Sequence, residues 1–321
     1  MAIGQMPSLP VTVLAGFLGA GKTTLLNHFL KTARGRRLGV IVNDFGRINI
    51  DVDLIETANE RIIQLSGGCV CCRMDGNFAS ALMELRDRGI KLDHVLVEAS
   101  GVALPGPIAR AVPLIEGFHT AMVITIVDIE TISARLTDRF MGDLVGSQCA
   151  SAQVIIANKS DLIGDTLRKL IIDQLTQSFE KAMILSTTAG QVDASILDLD
   201  IAGLNITDTS AWSPPISADA LFTSWIWSCT DPIHVERLGN ALAETGHGLL
   251  RVKGFMQDIR LGPVLLQIVG RHVQIATLNS PLSGNGDQIS YNRLICIAEK
   301  SVKDLGHWAE LEKRFGLVRS L

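Results

Sequence analysis

A glycine-rich segment near the start of the chain has the residues and spacing of a phosphate-binding loop. Residues 16–23 read G-F-L-G-A-G-K-T, which fits G-x-x-x-x-G-K-[S/T] at every fixed position. Glycines let backbone N–H groups curl around phosphate oxygens, and the start of the following helix adds partial positive charge. Lys22 can reach the β- and γ-phosphates, and the Thr23 hydroxyl can ligate Mg²⁺. The predicted nucleotide contacts are Gly16, Gly19, Ala20, Gly21, Lys22, Thr23 and Thr24.

A second motif, N-K-S-D at residues 158–161, follows a buried-type strand and bears on the identity of the base. The Asp161 carboxylate can accept hydrogen bonds from both N1–H and the exocyclic amine of guanine. Adenine has no matching pair of donors on that edge, and an unpaired buried acceptor disfavours binding. Asn158 would hold the loop, and the stem of Lys159 would cover the ring. We therefore expect guanine rather than adenine.

An acid and a glycine follow another strand-like run, in the segment Glu98-Ala99-Ser100-Gly101. An acid in this place can hold Mg²⁺ through water or orient a nucleophile, and the Gly101 N–H could meet a γ-phosphate. The alternative is a carboxylate that only caps the next turn. Because a phosphate loop is present, we favour the first interpretation. The expected magnesium residues are Thr23 and Glu98, and the expected catalytic residues are Lys22, Thr23 and Glu98.

Three of the six cysteines stand within four positions, in Gly68-Cys69-Val70-Cys71-Cys72. Three thiolates in a glycine-led loop can converge on a soft or borderline cation such as Zn²⁺ or Cu⁺. Three ligands leave one coordination position open, which suits a metal that must be handed on. A turn of small core residues and a redox-active thiol pair are the alternatives. The predicted metal ligands are Cys69, Cys71 and Cys72; the apolar surroundings of Cys149, Cys229 and Cys296 predict core positions.

Composition excludes several classes of protein. Apolar residues make up 47% and charged residues 19% of the 321 residues, which excludes intrinsic disorder. The apolar run Ala121–Val127 is much shorter than the roughly 20 residues of a membrane-spanning helix. The first ten residues lack the pattern of a signal peptide. A net charge of −4 without a basic block argues against nucleic acid or an anionic membrane as partner. We expect a cytoplasmic protein with reduced thiols.

Short runs rich in Val, Ile and Leu alternate with helix-like stretches through residues 1–200. This alternation predicts an α/β fold, with a mostly parallel sheet covered by helices on both faces. The predicted strands are Val11–Leu14, Gly39–Val42, His94–Val97, Ala121–Val127, Val154–Ile156 and Met183–Leu185. The predicted helices are Thr23–Thr32, Asn77–Arg88, Pro107–Ile115, Asp143–Ala150 and Thr166–Phe179.

The pattern changes at residues 201–220, where the Pro214-Pro215 pair and the absence of periodicity predict a linker. Residues 221–321 then predict a smaller α+β domain. Its expected elements are the strand Phe222–Ser228, the helix Val235–Glu244, strands near Leu250–Met256 and Val264–Ala276, the strand Leu294–Ala298 and the helix Val302–Phe315.

These motifs, in this order, resemble the CobW-like family of P-loop GTPases, which are often discussed as metallochaperones. The resemblance covers the whole chain, since Leu249–Gly254 looks like the start of the core of the family's C-terminal domain. The matching segments are Gly16–Thr24, Asn43–Gly46 with Ile50–Asp51, Gly68–Cys72, Glu98–Gly101 and Asn158–Asp161.

The resemblance implies GTP hydrolysis coupled to binding and release of a transition metal for a client metalloprotein. GTP or GDP, Mg²⁺, and Zn²⁺ or Co²⁺ are the implied cofactors. The C-terminal domain and the switch loops would face the client. A homo-oligomer is compatible with the resemblance. The implied metal site is the cysteine cluster, and the implied switch residues are Asn43, Asp44, Gly46 and Asp51.

Two departures from the family pattern concern the switch and a possible storage role. Asp44 and Arg47 replace the two acids of the usual N-E-F-G-E, and Arg47 reverses the charge of the second. The His-rich stretch of many relatives is also missing. Two other functions stay open: a nucleotide-binding metal or redox sensor without significant turnover, and a P-loop kinase of a small molecule, against which N-K-x-D argues.

Overall fold

A computed structural model of the chain describes most of both predicted domains. The described residues are 8–33, 35–42, 62–64, 77–87, 91–199, 222–244, 249–269, 272–277, 292–299 and 305–320. The chain divides into two compact units, residues 1–215 and 216–321. The linker predicted at residues 201–220 lies outside the described residues. No helix among the described residues is long and apolar enough to cross a membrane.

The first unit contains a seven-stranded sheet, counted over the described residues, in the order β3-β2-β4-β1-β5-β6-β7. Every pairing in it is parallel. All residues of β2, β4 and β6 are buried, as expected of parallel strands covered on both faces. The strands are β1 Leu9–Ala15, β2 Leu38–Val42, β3 Ile62–Gln64, β4 His94–Glu98, β5 Phe118–Asp128, β6 Val154–Asn158 and β7 Met183–Ser186.

Helices lie on both faces of this sheet, which confirms the predicted fold class. Ile124 and Ile126 pack in one core cluster with Leu25 and Phe29 of helix α1. Thr125 points to the opposite face and donates to the backbone carbonyl of Gln148 in helix α5. The helices are α1 Lys22–Thr32, α2 Asn77–Asp87, α3 Pro105–Ala111, α4 Ile132–Leu136, α5 Gly142–Ala150 and α6 Asp165–Ser178.

Three local predictions for this unit differ from the structure. The helix predicted at Pro107–Ile115 begins at Pro105 and gives way to a 3₁₀ turn at Val112–Leu114. Pro113 contributes to this change, because it lacks the N–H that would continue the α-helical hydrogen bonds. The short elements β3 and α4 were not predicted, since three and five residues are too few to show a periodicity.

Within the described residues, the second unit contains an antiparallel sheet and two helices, and the strand order is β11-β10-β9-β12-β8-β13. Its strands are β8 Phe222–Ser228, β9 Leu249–Asp258, β10 Gly262–Val269, β11 His272–Thr277, β12 Arg293–Glu299 and β13 Val318–Ser320. Its helices are α7 Val235–Glu244 and α8 Leu305–Phe315.

The single strand predicted at Val264–Ala276 is wrong, because the structure has two antiparallel strands, β10 and β11, with Val269 opposite His272. The overlooked signal is Gly270 in the sequence between them, since glycine is common in two-residue hairpin connections. Strand β13 was also missed, because three residues carry too little pattern.

A cluster of three tryptophans forms much of the core of the second unit. Trp225, Trp227 and Trp308 are at most 6% exposed, and their ring centroids lie 4.3 to 5.6 Å apart. Glu312 accepts hydrogen bonds from Trp227 Nε1 at 2.7 Å and from Arg319 Nε at 2.6 Å. The Arg319 guanidinium in turn lies over the Trp225 ring, 5.1 Å from its centroid. Helix α8 and strand β13 are thereby joined to the sheet.

The turn between β9 and β10 depends on one buried carboxylate. Asp258 is 3% exposed and accepts hydrogen bonds from the backbone N–H groups of Val235, Arg260 and Leu261 at 2.8 to 2.9 Å. Burial alone would raise the pKa of Asp258. The three N–H groups and the charge of Arg260 together outweigh burial and lower this pKa below its usual value.

We expect Asp258→Asn to lower the free energy of unfolding of the second unit at neutral pH by about 2 kcal/mol, because charged acceptors make stronger hydrogen bonds. The lowered pKa gives a stabilisation that is complete above the ordinary Asp value of about 3.9 and is lost as the pH falls through the folded value. Urea unfolding followed by tryptophan fluorescence at several pH values measures the difference. The exposed Asp231 provides the control Asp231→Asn; equal effects of the two substitutions would contradict the prediction.

Candidate functional site

Parallel pairing brings the predicted motifs to one edge of the first sheet. Leu14, just before the glycine-rich loop, is paired with Glu98, and Asp128 is paired with Asn158. Ala157 is paired with Ser186, at the end of β7. Because these strands all run in the same direction, the loops that follow them meet at their carboxyl ends. This edge is where α/β folds commonly bind ligands.

The glycine-rich loop has a backbone that requires glycine. Gly16, Gly19 and Gly21 have φ angles of 135°, 78° and 113°. A Cβ on Gly16 would lie 2.1 Å from the carbonyl oxygen of Ile126, and one on Gly21 would lie 2.4 Å from Asn158 Nδ2. Both close approaches exclude any side chain. The loop backbone therefore packs directly against β5 and β6, which leaves room only for glycine at these two positions.

Lys22 and Thr23, at the start of α1, point back towards the loop and the acidic strand end. Lys22 is 6% exposed, and its Nζ donates to the carbonyl oxygens of Gly16 at 2.9 Å and Phe17 at 3.4 Å. The Thr23 hydroxyl donates to Glu98 Oε1 at 3.0 Å, and Glu98 is 4% exposed. A hydroxyl and a carboxylate in contact are oxygen donors of the kind that Mg²⁺ prefers. The structure thus brings together the predicted magnesium pair.

Gly101, predicted to meet a γ-phosphate, lies directly against the glycine-rich loop. A Cβ on Gly101 would be 2.4 Å from Leu18 Cδ2 and 3.0 Å from Leu18 Cα, so the two segments are in contact. The turn between Glu98 and Gly101 is held at Ala99, whose N–H donates to the carbonyl of Leu14 at 2.9 Å. The Ser100 hydroxyl is buried in this turn and has no hydrogen-bond partner among the described residues.

Asn158 joins two loops at this sheet edge. The residue is 2% exposed; its Nδ2 donates to the carbonyl of Ala20, and its Oδ1 accepts from the N–H of Gly190, both at 2.9 Å. Lys159 has a left-handed backbone with φ of 63°, and its Nζ lies 2.5 Å from Asp128 Oδ2. Asp161 is exposed, which leaves its carboxylate accessible to a base.

The last residue of β7 and the loop after it, residues 186–190, lie at this sheet edge but were not singled out from the sequence. The N–H of Ser160 donates to the carbonyl of Thr187 at 3.1 Å, and the hydroxyls of Ser160 and Ser186 are 2.6 Å apart. A Cβ on Gly190 would lie 3.0 Å from the backbone nitrogen of Leu25. The available signal was the run S-T-T-A-G directly after a predicted strand.

Two groups of predicted site residues lie outside the described residues. They are the switch residues Asn43, Asp44, Gly46 and Asp51 and the metal ligands Cys69, Cys71 and Cys72. Within the described residues, no group of three or more His, Cys, Asp or Glu side chains could hold a metal ion.

The other three cysteines behave as structural thiols. Cys149 and Cys296 are buried as expected, whereas Cys229, at the end of β8, is only half-buried. Burial raises the pKa of Cys149 to about 12 and that of Cys296 well above its usual value. A thiol with a raised pKa is a poor source of the thiolate that binds metal.

Comparison with known proteins covers both units. Residues 10–186 match the family model for the CobW/HypB/UreG nucleotide-binding domain, and residues 222–316 match that for the cobalamin synthesis protein cobW C-terminal domain. A zinc chaperone CobW from Sinorhizobium sp is 30% identical over 308 residues, which cover 83% of this chain and 86% of the relative. The zinc-regulated GTPase metalloprotein activator 1 of Schizosaccharomyces pombe is 32% identical over 224 residues.

That second alignment covers 66% of this chain and 54% of the yeast protein, so the chain spans about half the length of that relative. Among solved structures, the zinc-bound YjiA GTPase from E. coli aligns with 95% of this chain and 99% of its own length. Its sequence identity is 23% and its TM-score is 0.48.

We expect Asn158→Ala to lower the free energy of unfolding of the first unit by about 2–3 kcal/mol, because the buried carbonyl of Ala20 and the N–H of Gly190 both lose their partner. Urea unfolding followed by far-UV circular dichroism measures the change. Asn240 on the exposed side of α7 gives a matched control, and Asn240→Ala should change stability by less than about 0.5 kcal/mol. A loss at Asn158 as small as that at Asn240 would show that the two hydrogen bonds do not hold the loops.

Proposed function

Because the chain belongs to the CobW/HypB/UreG family and carries the CobW C-terminal domain, we propose that it is a metallochaperone that binds and hydrolyses GTP. In this proposal it binds a transition metal, Zn²⁺ or Co²⁺, and delivers it to a client metalloprotein. The observation that carries the proposal is the meeting of the glycine-rich loop, the Thr23–Glu98 pair and the N-K-S-D loop at one sheet edge.

The proposed phosphate chemistry uses side chains that already point to the loop. Lys22 would exchange the carbonyls of Gly16 and Phe17 for the β- and γ-phosphates, where its positive charge is better satisfied. Thr23 and Glu98 would hold Mg²⁺, which when bound neutralises charge that develops between the β- and γ-phosphates. The N–H of Gly101 would meet the γ-phosphate, because Gly101 lies against Leu18 of the same loop.

The proposed base site uses the loops that Asn158 joins. Asp161 would accept from N1–H and the exocyclic amine of guanine. Lys159, whose Nζ is bonded to Asp128, would cover the flat ring of the base with its stem. Ser186–Gly190 supports both, since it bonds to Asn158 and Ser160.

The proposed metal site is the cysteine cluster Cys69, Cys71 and Cys72, and the names of the zinc chaperone relatives favour zinc. Asn43, Asp44, Gly46 and Asp51 would form the switch that responds to the γ-phosphate. Such coupling between nucleotide and metal sites is typically worth ~1–3 kcal/mol and is reciprocal. We propose that the switch and the C-terminal domain face the client.

The function is tested first by phosphate release from GTP and from ATP. We expect release from GTP only, and we expect Asp161→Asn to weaken GTP binding by about 100-fold while improving binding of XTP, whose second carbonyl can accept from the new amide. Asp173→Asn, on the exposed side of α6, is the control and should leave binding unchanged. A preference for ATP would contradict the guanine assignment. GTP binding without phosphate release would instead favour the sensor.

The metal site is tested by zinc and cobalt stoichiometry under reducing conditions. We expect Cys71→Ser to lower the bound metal per chain, while the GTP affinity of the metal-free protein stays within about twofold, because the thiolates and the phosphate loop are separate ligand sets. Cys229→Ser, at a half-buried thiol of the second unit, should keep the full stoichiometry. Metal binding that survives replacement of Cys69, Cys71 and Cys72 together would show that the site lies elsewhere.

A further inference from the structure

One buried amide on helix α5 contacts the segment that follows the acidic strand end. Gln148 is 1% exposed, and its Nε2 donates to the backbone carbonyl of Gly101 at 3.2 Å and to that of Ala103 at 2.9 Å. No sequence motif marks this residue, because it lies 47 positions from Gly101 along the chain. Its place on α5 is also fixed, since the Thr125 hydroxyl of β5 donates to its backbone carbonyl at 2.7 Å.

The segment that Gln148 contacts is confined on its other side by the phosphate loop. Gly101 approaches Leu18 so closely that a Cβ would overlap both its side chain and its Cα. The N–H of Ala103 donates to the carbonyl of Ser100 at 2.9 Å, which closes residues 100–103 into a turn. The turn therefore lies between Leu18 and the Gln148 amide.

Fixing the carbonyl of Gly101 also restricts the peptide before it. Glycine has more rotational freedom about φ and ψ than any other residue, so the direction of its N–H depends on outside contacts. The Gln148 amide, which donates to the carbonyls of Gly101 and Ala103, restricts this rotation and leaves the Gly101 N–H available for a ligand. The buried Ser100 hydroxyl, which has no partner among the described residues, lies in the same turn.

We infer that Gln148 is a positioning residue for γ-phosphate recognition: it holds the turn at residues 100–103 so that the Gly101 N–H faces the γ-phosphate of GTP. This inference rests on the proposed function, because it presumes GTP at the phosphate loop. The Gln148 amide donates to backbone carbonyls of the turn and acts through the turn. GDP lacks the γ-phosphate, so its binding does not depend on the turn.

The experiment compares Gln148→Met with Thr125→Val in the full chain. Gln148→Met keeps the volume of the side chain and removes both donated hydrogen bonds, whereas Thr125→Val removes the neighbouring bond to α5 and leaves both contacts to the turn. Fluorescent GDP and a fluorescent non-hydrolysable GTP analogue measure affinity in the presence of Mg²⁺, and phosphate release from GTP gives kcat and KM. Circular dichroism verifies that each variant folds.

We expect Gln148→Met to lower affinity for the GTP analogue and kcat by about tenfold each, while GDP affinity stays within about twofold. Thr125→Val removes a bond to the Gln148 backbone but neither contact to the turn, so it should lower the ratio of the two affinities by less than Gln148→Met does, although it lowers stability. A general loss of structure would weaken GDP binding as well, so the ratio separates positioning from destabilisation. An unchanged ratio and an unchanged kcat in Gln148→Met would overturn the inference.

A second variant guards against misfolding of the first. Gln148→Leu also removes both donated hydrogen bonds but with a different apolar side chain, so it should lower the affinity ratio by a similar factor. A wild-type ratio in Gln148→Leu would also overturn the inference. If the wild-type chain binds neither GTP nor its analogue, the proposed function fails, and the inference fails with it; the wild-type measurement distinguishes this result from a failure at Gln148 alone.

Discussion

The nucleotide side of the molecule depends on the side chain of Asn158, which is bonded at both ends. Its nitrogen holds the carbonyl of Ala20 in the phosphate loop, and its oxygen holds the N–H of Gly190 after β7. A buried amide that satisfies two backbone groups at once fixes the distance between their loops. The same amide nitrogen would lie only 2.4 Å from a Cβ on Gly21. The conformation of the phosphate loop and the position of the N-K-S-D loop therefore depend on each other.

The opposite face of the sheet supplies a second support of the same kind. There Gln148 holds the carbonyls of Gly101 and Ala103, while Thr125 holds the backbone of Gln148. Asn158 and Gln148 are both buried amides that bond to backbone groups of loops at the carboxyl edge. Asn158, at the end of β6, holds the loops that contain Ala20 and Gly190. Gln148, on helix α5, holds the segment after Glu98.

Local spacing was enough to predict the parts of the site that are contiguous in sequence. Residues 16–24, 98–101 and 158–161 each carry their chemistry within a few positions, and buried strands before them place all three at one edge. Gln148 and the loop Ser186–Gly190 could not be found in this way. Their roles depend on strand order and on which face α5 covers, and nothing within α5 distinguishes Gln148 from an ordinary polar helix residue. Likewise, the division of β10 from β11 was missed because Val264–Ala276 was read as one strand across Gly270, whose role as a turn residue is not evident from periodicity alone.

Under the proposed function, nucleotide binding would rearrange contacts that the protein makes with itself. Lys22 bonds to the carbonyls of its own loop, and Thr23 bonds to Glu98. Replacing the carbonyls by phosphate strengthens the bonds of Lys22, since both partners are then charged. Separating Thr23 from Glu98 has a different effect, because Glu98 begins the turn that continues through Gly101 to Ala103. Under the proposed function, a change at Glu98 would therefore be passed along a segment that Gln148 holds at its far end.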